Sequence, residues 1–209
     1  MGNKVPPRWL AWAREIQALS QTGMHYAEND YQRERNQRLS EIAAEIISEY
    51  SDKNYPELVN LFQVQSGYAT PRIDVRGAVF KDGDLLLVRE RMDGGWTMPG
   101  GWADVGDVPS ESVEREVWEE SGYKVSAKKL IGVYDANRTN PMDIFHAYKI
   151  VFFCEILAGD PRPSHETSDV AFFGIDQIPM SLSGERTKPR HIKDAFAVYA
   201  DPTISAVFD

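Results

Sequence analysis

Met98-Pro99-Gly100-Gly101, then Asp107 after a gap of five, then Arg115-Glu116-Val117-Trp118-Glu119-Glu120-Ser121-Gly122-Tyr123 after a gap of seven: the reading of this stretch decides the fold. Proline and the two glycines are unsuited to a helix interior, so the segment opens as a loop. Pro109 suits a first helical position, where its missing N–H costs nothing. Ser110 to Ser121 contains no breaker, and Gly122 suits the left-handed position just past a helix end. The local expectation is loop, helix, loop.

The charges on that helix are unusual. Glu116 and Glu120 are four apart and Glu116 and Glu119 three apart, so the three carboxylates share one face. Like charges at these spacings destabilise a helix by roughly a few tenths of a kcal/mol per pair. Arg115, adjacent in sequence, does not face the whole cluster, and Val113 and Val117, four apart, can anchor the helix to a core. A solvated acidic face is the plain explanation. Neutralisation by a hard divalent cation is the sharper one, because Mg²⁺ prefers carboxylate oxygens, and the glycine loop beside the cluster favours it.

The stretch resembles the Nudix box, G-x5-E-x7-R-E-U-x-E-E-x-G-U with U aliphatic. Gly101, Arg115, Glu116, Val117, Glu119, Glu120 and Gly122 match residue for residue. Asp107 replaces the expected glutamate and keeps its charge on a shorter arm. Tyr123 replaces an aliphatic residue, a change expected to affect packing only. The resemblance covers residues 70 to 180. It implies a mixed-sheet α/β/α sandwich and hydrolysis of a nucleoside diphosphate linked to another group. It further implies Mg²⁺ or Mn²⁺ held by Glu116, Glu119 and Glu120, with a backbone carbonyl of Gly100 or Gly101 as an extra ligand. Arg115 would hold a glutamate of the cluster by a charge-assisted hydrogen bond.

The rest of the chain is consistent with an α+β architecture. At 209 residues with a net charge of -9, there is room for one large domain or one domain plus a smaller one, and general electrostatic binding of nucleic acid or anionic membrane is disfavoured. Cys154 is the single cysteine, which excludes an intrachain disulfide framework and suits a reducing cytoplasm. Lys4 and Arg8 are followed by no long apolar run, so neither signal peptide nor transmembrane segment is expected.

Residues 1–66 are expected to form a helical extension and 67–209 the catalytic domain. Helices are predicted from Pro6 to Thr22, ended by Gly23 and striped by Trp9, Trp12, Ile16 and Leu19. A second follows Asn29 or Asp30, with Leu39, Ile42, Ala43, Ile46, Ile47 and Tyr50 at helical spacing, and a short third starts at Pro56. From Ile73 the period becomes two. Strands are predicted over Ile73–Phe80 and Leu85–Arg89 around an Asp82-Gly83 hairpin, and at Trp96–Met98. Further strands follow over Lys124–Leu130, Ile131–Tyr134, Ile144–Leu157 and Asp169–Phe173, with a terminal helix over Arg190–Tyr199.

A second resemblance lies in the extension. Trp9 to Leu19, Thr22-Gly23 and Tyr31-Gln32-Arg33-Glu34-Arg35, with Arg91 to Trp96 before the glycine loop, are similar to a Nudix branch that includes CDP-choline and ADP-ribose pyrophosphatases. It implies a homodimer whose helices help close the substrate pocket; a plain structural cap is the alternative.

For the general base, Glu120 is one candidate and Glu166, in the loop before a strand, is another. His165 and His146 are more simply inert. Arg72, Arg76, Arg89, Arg91 and Lys149 are possible phosphate contacts, of which Arg89 and Arg91 are favoured because they directly precede the glycine loop. Choline would seek aromatic faces such as Trp9, Trp12, Tyr26 and Tyr31. The leading expectation is a cytoplasmic pyrophosphohydrolase acting on CDP-choline, with ADP-ribose or a nucleotide sugar second. Action on RNA 5′ ends needs a basic groove with stacking aromatics, against the acidic total. A non-catalytic nucleotide sensor is countered by the nearly complete glutamate set.

Overall fold

The computed structural model describes residues 6–139, 144–184 and 186–209, so Lys4 lies outside them. The chain divides into two compact units: Met1–Pro71 with Pro141–His146, and Arg72–Asn140 with Ala147–Asp209.

The first unit is helical, with α1 at Arg8–His25, α2 at Asp30–Tyr50 and α3 at Tyr55–Gln63. Gly23 does not end α1. An added Cβ there would stand 2.2 Å from Asn36 Oδ1, so the glycine lets α1 and α2 approach closely. The inward stripe also differs from the expected one. Leu10 and Ala13 are buried with Gln17 and Ser20, while Trp12 and Leu19 are half or more exposed. Of the expected stripe, Trp9 and Ile16 pack against the core, partly buried. Asn29 caps α2, its side chain accepting from Gln32 N at 2.9 Å. The core is Leu10, Ala13, Ala43, Ala44, Ile47, Leu58, Phe62 and Ile144.

The second unit is built on a seven-stranded mixed sheet. Its strands are β1 (Arg72–Lys81), β2 (Asp84–Glu90), β3 (Trp96–Thr97), β4 (Tyr123–Asp135), β5 (Ala147–Gly159), β6 (Thr167–Phe173) and β7 (Val207–Phe208). The order is β3-β2-β1-β5-β4-β7, with β6 on β2. Asp82 and Gly83 both have positive φ, 53° and 94°, as a two-residue hairpin requires. β1 and β2 pair only at that tip. Beyond it β1 runs parallel to β5 and β2 antiparallel to β6. Two expected strands, Lys124–Leu130 and Ile131–Tyr134, are one strand, β4. Its register shifts at Ala127/Lys129 and Leu130/Gly132 break the alternation that would have revealed its continuity. β5 begins at Ala147, and Ile144 belongs instead to the first unit's core.

Helices α4 (Pro109–Ser121), α5 (Ala136–Thr139) and α6 (Pro189–Ala200) complete the unit. Val113 and Val117 of α4 pack on Val75, Val79, Leu86 and Tyr123 on one face of the sheet. Ile192, Ala195 and Val198 of α6 pack on Ala78, Phe80, Leu87, Ile131 and Tyr134 on the other. The glycine loop runs alongside β1, bonded to it at Val75 and Gly77. No helix among the described residues is long and apolar enough to cross a membrane.

Candidate active site

The glycine loop is fastened to β1 by backbone bonds. Val75 N donates to Gly101 O at 2.8 Å and Gly77 N to Pro99 O at 2.9 Å. Glycine is required at Gly100, and at Gly101 it spares the Glu116 carboxylate a clash. Gly100 has φ 143°, and a Cβ there would lie 2.0 Å from Val75 O; one at Gly101 would lie 2.6 Å from Glu116 Oε2. Gly101 therefore leaves room for a carboxylate. Gly122 has φ 82° and ends α4 as expected, its N–H reaching Trp118 O.

The carboxylates of α4 are unequal. Glu120 is 6% exposed and accepts from Gly100 N through Oε2 at 2.9 Å. Burial pushes its carboxyl up to about 7, against the pull of Arg76. Burial also raises Glu116, opposed by Arg115. The side chain of Glu119 is about half exposed. Arg115 reaches more of the cluster than adjacency suggested. Its Nη1 lies 2.7 Å from Glu116 Oε1 and 3.5 Å from Glu119 Oε2, and its Nη2 donates to Asp107 Oδ2 at 2.9 Å. That hydrogen bond holds the Asp107 carboxyl below its usual range. The shorter aspartate thus still has a partner within reach.

Hard oxygen donors on one helix face, one of them buried and beside a glycine cradle, suit a divalent cation. Among the described residues, however, no three carboxylate, histidine or cysteine side chains already converge as a metal-holding group. Arg115 holds Glu116 through Oε1, while Oε2 lies beside Gly101.

A buried polar cluster lies on the sheet beside the loop. Arg76 donates from Nε and Nη2 to the two oxygens of Asp74, each at 2.9 Å, and from Nη1 to Met98 O at 3.2 Å. Lys149 Nζ adds a 2.8 Å bond to Asp74 Oδ1. Burial alone would raise the Asp74 carboxyl, but Arg76 and Lys149 outweigh it and hold it at about 2. Arg76 and Lys149, two of the phosphate contacts considered from sequence, are thus buried and ion-paired with Asp74. Asp74 was missed altogether. Its place two residues before Arg76 on a strand, hence on the same face, was the available signal. Burial, with the Lys149 charge behind it, lowers His191 on α6 to about 3. Glu90, 3% exposed at the end of β2, was also missed.

The remaining candidates lie outward. Arg89 is exposed and donates to Gly94 O at 2.9 Å; Arg91, also exposed, approaches Ser164 O at 3.5 Å. Glu166 is exposed with its Oε1 3.2 Å from His165 Nε2, and its carbonyl accepts from Arg91 N. His146 is exposed and precedes β5.

Comparison with known proteins agrees with this geometry. Residues 7–62 match the model of a UDP-X-like, N-terminal oligomerisation domain, and residues 70–196 that of the NUDIX domain. YjhB of Bacillus subtilis (strain 168), provisionally named an ADP-ribose pyrophosphatase, is 37% identical over 207 residues, 99% of either chain. The crystal structure of a UDP-X diphosphatase superposes with a TM-score of 0.63 at 31% identity, over 97% of this chain and 98% of that one. An ADP-ribose pyrophosphatase from Streptococcus suis gives 0.61 at 31% identity, over 67% of this chain and 100% of that one. The chain therefore belongs to the Nudix hydrolase family, as a pyrophosphohydrolase of the branch that carries the UDP-X-like N-terminal domain.

Proposed function

We propose that the protein hydrolyses the pyrophosphate of a nucleoside diphosphate joined to a sugar or other small moiety, with ADP-ribose and uridine diphosphate derivatives the first candidates. One observation carries the chemistry: Glu120 is buried against Gly100 N, with Glu116 and Glu119 on the same helix face. The names of the full-length relatives support the substrate class. CDP-choline, the leading expectation from sequence, becomes the second candidate. Two of the rings singled out for choline already face a cation, Trp12 under Arg8 at 4.9 Å and Tyr31 under Arg35 at 5.3 Å.

Glu116, Glu119 and Glu120 would hold Mg²⁺ or Mn²⁺, which would supply charge neutralisation at the phosphoryl oxygens and an activated water. The chain's own groups do the rest. Arg115 orients Glu116 and Asp107. Gly100 N–H and Arg76 fix the position of Glu120 and the loop. Glu120, with its carboxyl near 7, is the better candidate to take a proton from the attacking water. Glu166 is the alternative, and Arg89 and Arg91 are candidate phosphate contacts. The helical unit is read as a homodimerisation module; its match to an N-terminal oligomerisation domain supports self-association.

The test is hydrolysis of ADP-ribose, several UDP-sugars, CDP-choline and a 5′-triphosphorylated RNA, with Mg²⁺ and with Mn²⁺, beside Glu119→Gln. Release of a nucleoside monophosphate from ADP-ribose or a UDP-sugar by the wild type alone supports the reading. Turnover of RNA alone would discard it. Light scattering of the intact protein tests the dimer.

A further inference from the structure

The glycine loop has a second anchorage, on the segment that leads into α6. That segment clasps β3: Trp96 N donates to Ser181 O and Ser183 N to Trp96 O, each at 2.8 Å. Ser183 Oγ donates to Asp93 Oδ2 at 2.8 Å, and Arg186 Nε lies 3.3 Å from Glu90 Oε1. Its last hold is on the loop itself. Met98 N donates to Thr187 Oγ1 at 3.0 Å, and the hydroxyls of Thr187 and Thr97 are 2.8 Å apart. Thr97 Oγ1 donates to Met98 O at 3.1 Å, so the Thr187 proton goes to Thr97. The chain of bonds starts at the Met98 amide and returns to the Met98 carbonyl. Both threonines are completely buried. A hydroxyl suits the place of Thr187 because it accepts and donates at once. Met98 stands two residues before Gly100, whose amide holds Glu120.

We propose that Thr187 is a positioning residue for the reaction: its hydroxyl fixes the peptide of Met98 and, through it, the place of the Gly100 amide against the Glu120 carboxylate. Gly77 N holds the oxygen of the Pro99–Gly100 peptide at 2.9 Å, one bond about which that peptide can still turn. Pro99 has a locked φ, so a fixed Met98 peptide restricts the turn. The two sides of the Met98 peptide are held unequally, which supplies an internal control. Its carbonyl is bonded by Arg76 Nη1 at 3.2 Å as well as by Thr97, whereas its amide is bonded by Thr187. Without the Thr97 hydroxyl, Arg76 still holds the carbonyl. Without the Thr187 hydroxyl, the amide has no acceptor among the described residues. A buried donor left unpaired costs more than its bond contributed, so the loop is driven to shift. The inference rests on the pyrophosphohydrolase reading and adds a residue to its machinery.

The test compares the intact wild type with Thr187→Val, which nearly keeps the shape and removes the hydroxyl, with Thr187→Ser, which restores it, and with Thr97→Val. In metal-free protein, amide NMR reads the Gly100 N–H directly. In Thr187→Val its proton resonance is expected to move upfield and its exchange with solvent to quicken about tenfold or more. With ADP-ribose and a UDP-sugar as substrates, kcat is expected to fall roughly 10–100-fold while KM changes by less than about threefold. Manganese affinity, read by electron paramagnetic resonance, falls with kcat. Thr187→Ser is expected to return every readout to within about threefold of wild type, and Thr97→Val to lose clearly less than Thr187→Val. Should Thr187→Val not fold, Thr187→Cys, whose thiol is a weaker acceptor and donor, is judged by the same readouts. A Thr187→Val protein that melts lower yet keeps kcat, manganese affinity and the Gly100 resonance marks a merely structural role and overturns the proposal. So does a Thr187→Ser protein as slow as Thr187→Val, which assigns the effect to packing of the methyl group. Wild type that hydrolyses no nucleotide overturns the parent reading and this one with it, whereas turnover untouched by Thr187→Val overturns this one alone.

Discussion

The amide of Gly100 donates to Oε2 of Glu120 at 2.9 Å, joining the loop alongside β1 to the last turn of α4. The bond forms only because Gly100 takes φ 143°, where a Cβ would meet Val75 O at 2.0 Å. Gly100→Ala is therefore expected to displace the loop. Strain of this kind costs on the order of 1–3 kcal/mol, and a shift of about 1 Å at a reacting group costs roughly 100-fold in rate. Urea unfolding and turnover, measured on the same variant, check both. Unchanged activity would show that the loop does not position the chemistry.

Glu120 also leaves a signature in stability against pH. Its carboxyl is pushed by burial from 4.5 up to about 7. The folded state then binds more protons than the unfolded state between these values. The contribution of Glu120 is fully present below 4.5 and is lost as pH rises through about 7. His191, depressed by burial to about 3, acts in the opposite sense: its contribution is present above about 6.5 and lost as pH falls through about 3. The two slopes offset each other between 4.5 and 6.5. Glu120→Gln removes one of them. The expected result is that the variant gains on the wild type as pH rises from 4.5 to 7, by up to about 3 kcal/mol. Chemical denaturation across that range, without divalent metal, measures the difference. A difference independent of pH would contradict the burial of an ionisable Glu120.

The motif's helix, its glycine loop and the Asp82-Gly83 hairpin were legible because each rests on local chemistry, namely breakers, caps and positive φ. The two resemblances carried the family. What the sequence hid depends on contacts distant along the chain. Gly23 resembles a helix stop until Asn36 is placed against it. Arg76 resembles a surface arginine until Asp74 and Lys149 close around it, the latter from a strand far away in sequence. The continuity of β4 was masked by bulges, which shift the alternation that identifies a strand. Glu90 carries no motif, and its burial follows from the loops that return over the end of β2.

The Asp74–Arg76–Lys149 group should be the most sensitive point of the second unit. Two cations share one carboxylate, all nearly excluded from solvent. Removing the carboxylate leaves both cations buried without compensation, which typically costs about 3–5 kcal/mol. Asp74→Ala is expected to lose that much in guanidinium unfolding. Lys149→Met is expected to lose clearly less, because Arg76 still neutralises Asp74 by itself. If the order of the two variants were reversed, Lys149 and not Asp74 would be the centre of the group.

Arg115 offers the contrast. It touches Asp107, Glu116 and Glu119 at 2.9, 2.7 and 3.5 Å, but its side chain is 35% exposed. Exposed ion pairs contribute about 0–1 kcal/mol, so Arg115→Ala is expected to leave the unfolding midpoint nearly unchanged. Its effect should appear in the site instead. Without the guanidinium, Glu116 and Glu119 lose their common orientation and Asp107 loses its partner. Groups that orient ligands from behind typically change metal affinity or activity about 10–100-fold. Manganese binding followed by electron paramagnetic resonance is expected to weaken by that factor, with kcat falling in parallel. A large loss of stability with unchanged manganese affinity would make Arg115 a structural brace and remove it from the catalytic machinery.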